Sequence, residues 1–197
     1  MITKKDYLIG AGAGFLTGAL FLVILWFLAV SFPYQAIFAL VLIPALWAAG
    51  VWLGKFLSRW IPFFAQFGKY SAAGFLSAAI DFAVLNYISY LTGVTAGIII
   101  GWVNVPGFLF AVINGYLWNK LWVFKDRDER GLFADFPKFF AVTIGGLIIN
   151  SVLIIVLTSY ISPPIKPTLW LNIAKFFANI AVLLWNFTGF KFIVFKK

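Results

Sequence analysis

Cysteine and histidine are both absent from this sequence of 197 residues. Without cysteine there are no disulfide bonds and no thiolate chemistry, and without histidine the commonest general base and metal ligand is missing. Charge is also scarce, because 11% of the residues are charged, against about 25% in an ordinary soluble domain. The sequence contains no Gly-rich phosphate loop and no pair of carboxylates within one apolar run. It therefore predicts a protein that is not an enzyme and has no catalytic residues, metal site or cofactor.

Apolar residues make up 63% of the chain, aromatic residues account for 20%, and the mean hydropathy is +1.02. A soluble fold of this size exposes too much of its surface to water to bury so large an apolar fraction. The composition therefore excludes a soluble globular protein and a disordered one, and it predicts a protein that crosses a membrane several times.

Six apolar runs are each long enough to cross a hydrocarbon core of about 30 Å. They cover residues 7–31, 34–54, 70–92, 96–119, 139–161 and 168–190. Residues 55–69 mix basic and aromatic side chains, which is typical of an interfacial amphipathic segment. Residues 120–138 hold nine of the 21 charged residues and are predicted to form a solvated loop. The sequence thus predicts an all-α integral membrane protein with six transmembrane helices.

Basic residues are distributed very unevenly under this arrangement. Six spans place both termini on one side of the membrane, and 13 of the 15 basic residues fall on that side. The opposite side has Lys166 alone, and Lys175 lies within the last span. This asymmetry predicts a multi-pass plasma membrane protein with both termini in the cytoplasm. Because topology explains the net charge of +9, we expect no nucleic acid partner.

A helical hairpin occurs twice in the later part of the chain. The motif FGKY, which contains Lys69, corresponds to FPKF, which contains Lys138, and at this offset of 69 Asp81 falls on Asn150. The motif KLWVFK that begins at Lys120 corresponds to KFIVFK, 71 residues later. Each copy contains two spans, so both point the same way. The repeat therefore predicts a pseudo-two-fold axis along the membrane normal.

These motifs divide the chain into an N-terminal transmembrane hairpin, residues 1–62, and a four-helix transmembrane domain, residues 63–197. Within that domain, repeat 1 covers 67–125 and repeat 2 covers 136–197. The domain resembles the GtrA-like family of polytopic membrane proteins. The resemblance is carried by Lys69, Tyr70, Asp81, Asn119, Lys120, Phe124, Lys138, Phe139, Asn150, Asn186, Lys191 and Phe195.

The resemblance implies a role in flipping polyprenyl-phosphate-linked sugars. It also implies a partner glycosyltransferase that makes the lipid-linked sugar on the cytoplasmic face. The N-terminal hairpin departs from the usual four-span form of the family. Four repeat helices are few for enclosing a sugar path, and a homodimer is compatible with this number.

Asp81 is the first candidate site residue, because it lies in the middle of the third span. A charge at that depth costs about 2.5–3.5 kcal/mol on insertion scales, so a partner or protonation must offset it. Asp81 and its counterpart Asn150 are interpreted as groups that contact sugar hydroxyls, or Asp81 as a proton-coupled switch. The alternative is a structural hydrogen bond between helices.

The last span carries a polar stripe, since four residues spaced by 3, 4 and 7 share one helical face. The stripe comprises Asn172, Lys175, Asn179 and Asn186. Lys175 is interpreted either as a residue that snorkels outward or as one that meets a lipid phosphate. A third alternative pairs it with Asp81.

Four lysines at the predicted cytoplasmic ends of the repeat helices form a group that we call the basic collar. Its members are Lys69, Lys120, Lys138 and Lys191. Basic pockets between spans bind anionic head groups, so the collar is interpreted as a docking site for a polyprenyl phosphate. Each lysine taken singly is interpreted as a topology anchor.

The leading hypothesis is translocation of a polyprenyl-phosphate-linked monosaccharide from the cytoplasmic to the outer leaflet, in support of cell-surface glycan or glycoprotein synthesis. The phosphate would dock at the basic collar, and the sugar would pass Asp81, Asn150 and the polar stripe. One alternative is a small proton-coupled exporter of lipophilic substrates that depends on Asp81. Another is a membrane anchor that recruits a glycosyltransferase through the charged loop.

Overall fold

The computed structural model describes residues 2–123 and 136–189. Every regular element in these two ranges is helical, and six of the helices are long and apolar enough to cross a membrane. We label them α1 (Lys4–Leu28), α2 (Gln35–Leu57), α3 (Phe64–Thr92), α4 (Ile98–Val123), α5 (Phe136–Tyr160) and α6 (Pro167–Gly189). The predicted all-α architecture with six transmembrane helices is confirmed for this part of the chain, whereas the repeat axis stays a prediction.

Two of the helices contain a π-helical turn. In α2 the wide turn Phe38–Leu42 comes just before Pro44, which lacks an N–H donor and crowds the turn that precedes it. In α4 the turn Asn119–Val123 extends the helix. The predicted loop start at Lys120 is therefore wrong, because Trp122 and Val123 are buried in an apolar cluster that keeps this segment folded.

The predicted amphipathic segment 55–69 does not form a helix of its own within the described chain. Helix α2 continues to Leu57, and α3 begins at Phe64, so the segment is shared between two spans. Glycine permits this close approach of α2 and α3. A Cβ atom at Gly68 would lie 2.7 Å from the carbonyl oxygen of Gly50, and one at Gly54 would lie 2.6 Å from that of Phe64.

The small residues of α1 also serve packing. A Cβ atom at Gly14 would lie 2.7 Å from Cα of Pro44, and one at Gly10 would lie 3.0 Å from the side chain of Val51. These glycines therefore bring α1 against α2 within one hairpin. Further along the same face of α1, Gly18 lies close to the backbone of Ala39 in α2.

The described residues group into two compact units. The first comprises residues 2–83 and 110–123, and its apolar cluster is centred on Val51, Ala72, Ala73, Trp122 and Val123. The second comprises residues 84–109 and 136–189, and its apolar cluster contains Leu85, Ile100, Val103, Ile154, Leu171 and Ala178. The sequence boundary predicted after residue 62 is not tested by this grouping and stays a prediction.

Candidate functional site

The described residues present an apolar surface, and polar side chains are buried beside the apolar clusters. Large apolar side chains point outward, including Trp102, which is 76% exposed, and Phe176, which is 55% exposed. Many polar side chains are buried, and hydrocarbon provides no water to solvate them. The buried charged and carboxamide side chains of the described residues are Asp6, Lys69, Asp81, Asn86, Asn104, Lys120, Asn150, Asn172 and Lys175.

Lys175 is the largest fully buried side chain among the described residues. It lies in α6, and its Nζ donates to Oδ1 of Asn104 in α4 and to Oδ1 of Asn150 in α5, the latter at 3.2 Å. The exposed fraction of all three residues is 0%. Hydrogen bonds from an ammonium group are about twice as strong as neutral ones, so these carboxamides help to offset the cost of a buried charge.

The hydrogen bonds continue from these three side chains to their neighbours. Nδ2 of Asn104 donates to Oδ1 of Asn150 at 3.0 Å and to Oγ of Ser151 at 3.2 Å. Nδ2 of Asn150 donates to Oδ1 of Asn179 at 2.7 Å. We call these five residues, Asn104, Asn150, Ser151, Lys175 and Asn179, the lysine network. It joins α4, α5 and α6 in the interior of the second unit.

The lysine network has the chemistry to bind an anion and sugar hydroxyl groups. An ammonium group supplies three donors, and each carboxamide supplies both donors and an acceptor oxygen. In the structure these groups satisfy one another, so a ligand would have to exchange places with part of the network. The outward snorkelling of Lys175 is wrong for this conformation, because Nζ points into the network and the side chain has no exposed surface.

The rest of the polar stripe on α6 has separate surroundings. Asn172 and Asn86 form a reciprocal pair in which each Nδ2 donates to the other Oδ1, at 2.7 and 2.8 Å. Asn186 lies near Gly146 of α5, and its buried Oδ1 accepts no hydrogen bond from the described residues. One face of α6 therefore contacts three separate groups of residues. The lysine network is the middle group, between the Asn86 pair and the surroundings of Asn186.

Asp81 lies in α3, in the first unit, and is 3% exposed. Ser77 precedes it by one turn on the same face. Oγ of Ser77 accepts a hydrogen bond from Nδ2 of Asn114 at 2.9 Å, and Oδ1 of Asn114 accepts one from Nε1 of Trp118 at 3.0 Å. A second group of polar side chains thus follows α3 and α4 in this unit.

The members of the basic collar have different surroundings. Nζ of Lys69 lies 2.6 Å from Oδ1 of Asp6, and Lys69 is 5% exposed. Lys120 is 7% exposed and lies in the π turn of α4. Lys138 is in the first turn of α5, but its side chain lies outside the described part, and Lys191 lies outside the described residues altogether.

Sequence reasoning missed several residues of these clusters, and for two of them, Asn104 and Asp6, a signal existed. Asn104 precedes Lys175 by 71 residues, which is the offset between Lys120 and Lys191. Asp6 follows Thr3 by three positions, as in a capping box, and the structure shows this box at the start of α1.

Within the described ranges, no group of three or more acidic side chains is placed to hold a metal ion.

Six apolar helices, with a hydrogen-bonded lysine buried where α4, α5 and α6 meet, define a polytopic membrane protein with an intramembrane polar site. The transmembrane domain of the GtrA/DPMS family matches residues 69–195, and the chain belongs to this family. All five residues of the lysine network fall within the matched region, whereas Asp6 precedes it.

Two curated relatives are similar to part of the chain. An uncharacterized membrane protein of Bacillus subtilis, YwcD, is 30% identical over 96 residues, which is 48% of this chain and 71% of that protein. A dolichol-phosphate mannosyltransferase of Pyrococcus furiosus is 23% identical over 90 residues, which is 46% of this chain. The matched segment spans 22% of the length of the mannosyltransferase. No solved structure matches the chain.

Proposed function

We propose that this protein moves a polyprenyl-phosphate-linked monosaccharide from the cytoplasmic to the outer leaflet of the plasma membrane. The observation that carries the proposal is the lysine network, with Lys175, Asn104 and Asn150 fully buried, within a GtrA/DPMS transmembrane domain. Ionisable groups inside membrane helices are costly and commonly mark a substrate path. Membership of this family favours a substrate made of a lipid phosphate and a sugar.

The lysine network matches the two polar parts of such a substrate. Lys175 would attract the phosphate, because opposite charges interact strongly where water is excluded. The carboxamides of Asn104, Asn150 and Asn179 would exchange their mutual hydrogen bonds for bonds to sugar hydroxyls. Asp81, buried in the first unit, would supply a further acceptor for hydroxyl groups. The polyprenyl tail would stay in lipid beside the exposed apolar side chains, and the proposed role includes no chemical change of the substrate.

The proposed orientation places both termini in the cytoplasm. Its support is the excess of basic residues on the side that six spans assign to the termini. In this orientation Lys69 and Lys120 lie on the cytoplasmic side, where the lipid-linked sugar would enter.

We also propose that the protein acts beside a glycosyltransferase that makes its substrate. The support is its similarity to part of a dolichol-phosphate mannosyltransferase. Affinity purification of this protein from its native membrane should retain such an enzyme. Loss of the enzyme when residues 124–135 are replaced by a neutral linker would assign the contact to that segment.

A flipping assay in proteoliposomes tests the main proposal. A fluorescent short-chain polyprenyl-phosphate sugar is added to one leaflet, and the fraction that reaches the other leaflet is measured over time. We expect the wild-type protein to accelerate transfer over empty liposomes, and Lys175→Gln and Asp81→Asn each to reduce the rate by about tenfold or more.

The matched control is Lys166→Gln, which removes an exposed lysine between α5 and α6 and should leave the rate unchanged. Each variant is first shown to be monodisperse. Its unfolding midpoint is then measured and compared with that of the wild type. A wild-type protein that does not exceed empty liposomes would refute transport. A Lys175→Gln variant with the wild-type rate would remove the lysine network from the substrate path.

A further inference from the structure

Two hydrogen-bond donors converge on one carboxylate oxygen near the start of α1. Oδ1 of Asp6 lies 2.6 Å from Nζ of Lys69 and 3.0 Å from Nε1 of Trp122. The other oxygen, Oδ2, accepts from the backbone N–H and the hydroxyl of Thr3, at 2.7 and 2.9 Å. The exposed fractions of Asp6, Lys69 and Trp122 are 1%, 5% and 4%.

The donors and the acceptor come from different parts of the chain. Lys69 and Trp122 lie within the matched family domain, residues 69–195, whereas Asp6 belongs to the N-terminal hairpin. The domain thus contributes an ammonium group and an indole N–H, both turned toward one point, and the hairpin contributes the anion found there. A phosphate oxygen accepts the same two donors as a carboxylate oxygen.

The hairpin is also attached by contacts other than this ion pair. Gly54 and Gly68 bring α2 and α3 into backbone contact, and Val51 is packed in the same apolar cluster as Ala72 of α3. Removal of the Asp6 charge therefore leaves the main contacts of the hairpin in place. The effect of the Asp6 carboxylate on ligand binding can therefore be measured while the hairpin keeps its packing contacts.

We propose that Lys69 and Trp122 form a binding site for a phosphate group, and that the carboxylate of Asp6 fills this site as an intramolecular substitute. Phosphate and Asp6 then exclude each other. The apparent affinity for phosphate therefore equals the affinity of the open site multiplied by the fraction of molecules in which Asp6 has left the site. The existence of the anion site is independent of the proposed function. The assignment of its ligand as a lipid phosphate rests on that function.

The test follows the indole N–H resonance of Trp122 in phosphatidylcholine nanodiscs, assigned with a Trp122→Phe variant. Full-length protein is titrated in one arm with a polyprenyl monophosphate and in the other with inorganic phosphate. We expect Asp6→Asn to show a saturable shift of this resonance at a ligand concentration about tenfold or more below that needed by the wild type. Adding Lys69→Gln to Asp6→Asn should abolish the shift.

Thr3→Val is the matched control, because it removes one hydrogen bond to Oδ2 but keeps the carboxylate. It should titrate like the wild type. A shift with the lipid alone identifies a lipid phosphate. A shift with inorganic phosphate alone keeps the anion site and refutes its assignment to a lipid.

An Asp6→Asn variant that responds to neither ligand, or that responds equally with Lys69→Gln present, overturns the proposal. If Asp6→Asn does not fold, Asp6→Ser replaces it, and failure of both to fold shows that Asp6 is a structural anchor and refutes a ligand site. The measurement detects binding alone. A protein that flips lipid without any change at Trp122 would therefore support the proposed function and refute this inference.

Discussion

Nζ of Lys175 donates a hydrogen bond to the side-chain oxygen of Asn104, a residue 71 positions earlier in the chain. The same offset separates the two matching motifs that begin at Lys120 and Lys191. Under the predicted repeat, Asn104 and Lys175 are thus equivalent positions of α4 and α6. Equivalent positions of a two-fold arrangement touch each other only next to the axis. The predicted axis would therefore pass beside Asn104 and Lys175 of the lysine network.

Asn104→Leu should lower the free energy of unfolding by about 1.5–3 kcal/mol, because it removes an acceptor from a buried ammonium group. The loss is measured by denaturant unfolding in mixed micelles. The double variant Asn104→Leu/Lys175→Met removes the charge together with its acceptor, and we expect it to be more stable than Asn104→Leu alone. Strictly additive effects of the two substitutions would contradict a direct coupling between these side chains.

The six spans could be predicted because hydrocarbon thickness imposes long apolar runs, but their ends could not. Helix α1 begins three residues before the predicted Tyr7, since Thr3 and Asp6 cap it. Helix α3 begins at Phe64, six residues before the predicted Tyr70, because Gly68 is packed against α2. Runs of hydropathy carry no information about such caps and contacts.

The candidate site was predictable only along single helices. The spacing of the polar stripe correctly places Asn172, Lys175 and Asn179 on one face of α6, since helical periodicity fixes that face. It does not specify which residues on other helices meet that face, because the packing of helices sets the partners. Asn104 was therefore not predicted as a site residue, and the ion pair between Lys69 and Asp6 was not predicted either.

The reciprocal pair of Asn86 and Asn172 provides a double-mutant cycle. Asn172→Leu should cost about 1–3 kcal/mol of stability, because it removes both hydrogen bonds that Asn172 exchanges with the buried carboxamide of Asn86. The double variant Asn86→Leu/Asn172→Leu should recover much of that loss, since it removes both carboxamides of the reciprocal pair. The unfolding free energies of the two single variants and the double variant check this. A double variant no more stable than the worse single variant would argue against mutual pairing.

Packing of the N-terminal hairpin can be tested with two glycines of one helix. Gly14→Ala should destabilise the protein by about 1–3 kcal/mol, since its Cβ atom would lie 2.7 Å from Cα of Pro44. Gly12→Ala is the matched control, because no atom lies within 4 Å of its Cβ position and the helix gains up to about 1 kcal/mol from alanine. Thermal unfolding midpoints in the same detergent compare them. Equal shifts for the two variants would refute close packing of α1 on α2 at Gly14.

The absence of native cysteine makes the topology directly measurable, because any introduced thiol is the only one in the chain. The loops after α1 and α5 should face outward, whereas Lys4 at the start of α1 and Trp60 between α2 and α3 should face the cytoplasm. We therefore expect Ser31→Cys and Ser162→Cys to react with a membrane-impermeant maleimide in intact cells. Lys4→Cys and Trp60→Cys should react only after permeabilisation. All four positions are exposed in the structure, so a lack of reaction is not caused by burial within the protein.

The labelling pattern of the four thiols also distinguishes an inverted orientation from a different number of spans. Labelling of Lys4→Cys and Trp60→Cys alone in intact cells would mean an inverted protein, against the positive-inside asymmetry. Labelling of Lys4→Cys and Ser162→Cys on the same side would mean an even number of crossings between them. That result would contradict the six-span arrangement, because five helices, α1 to α5, separate these two positions and place them on opposite faces.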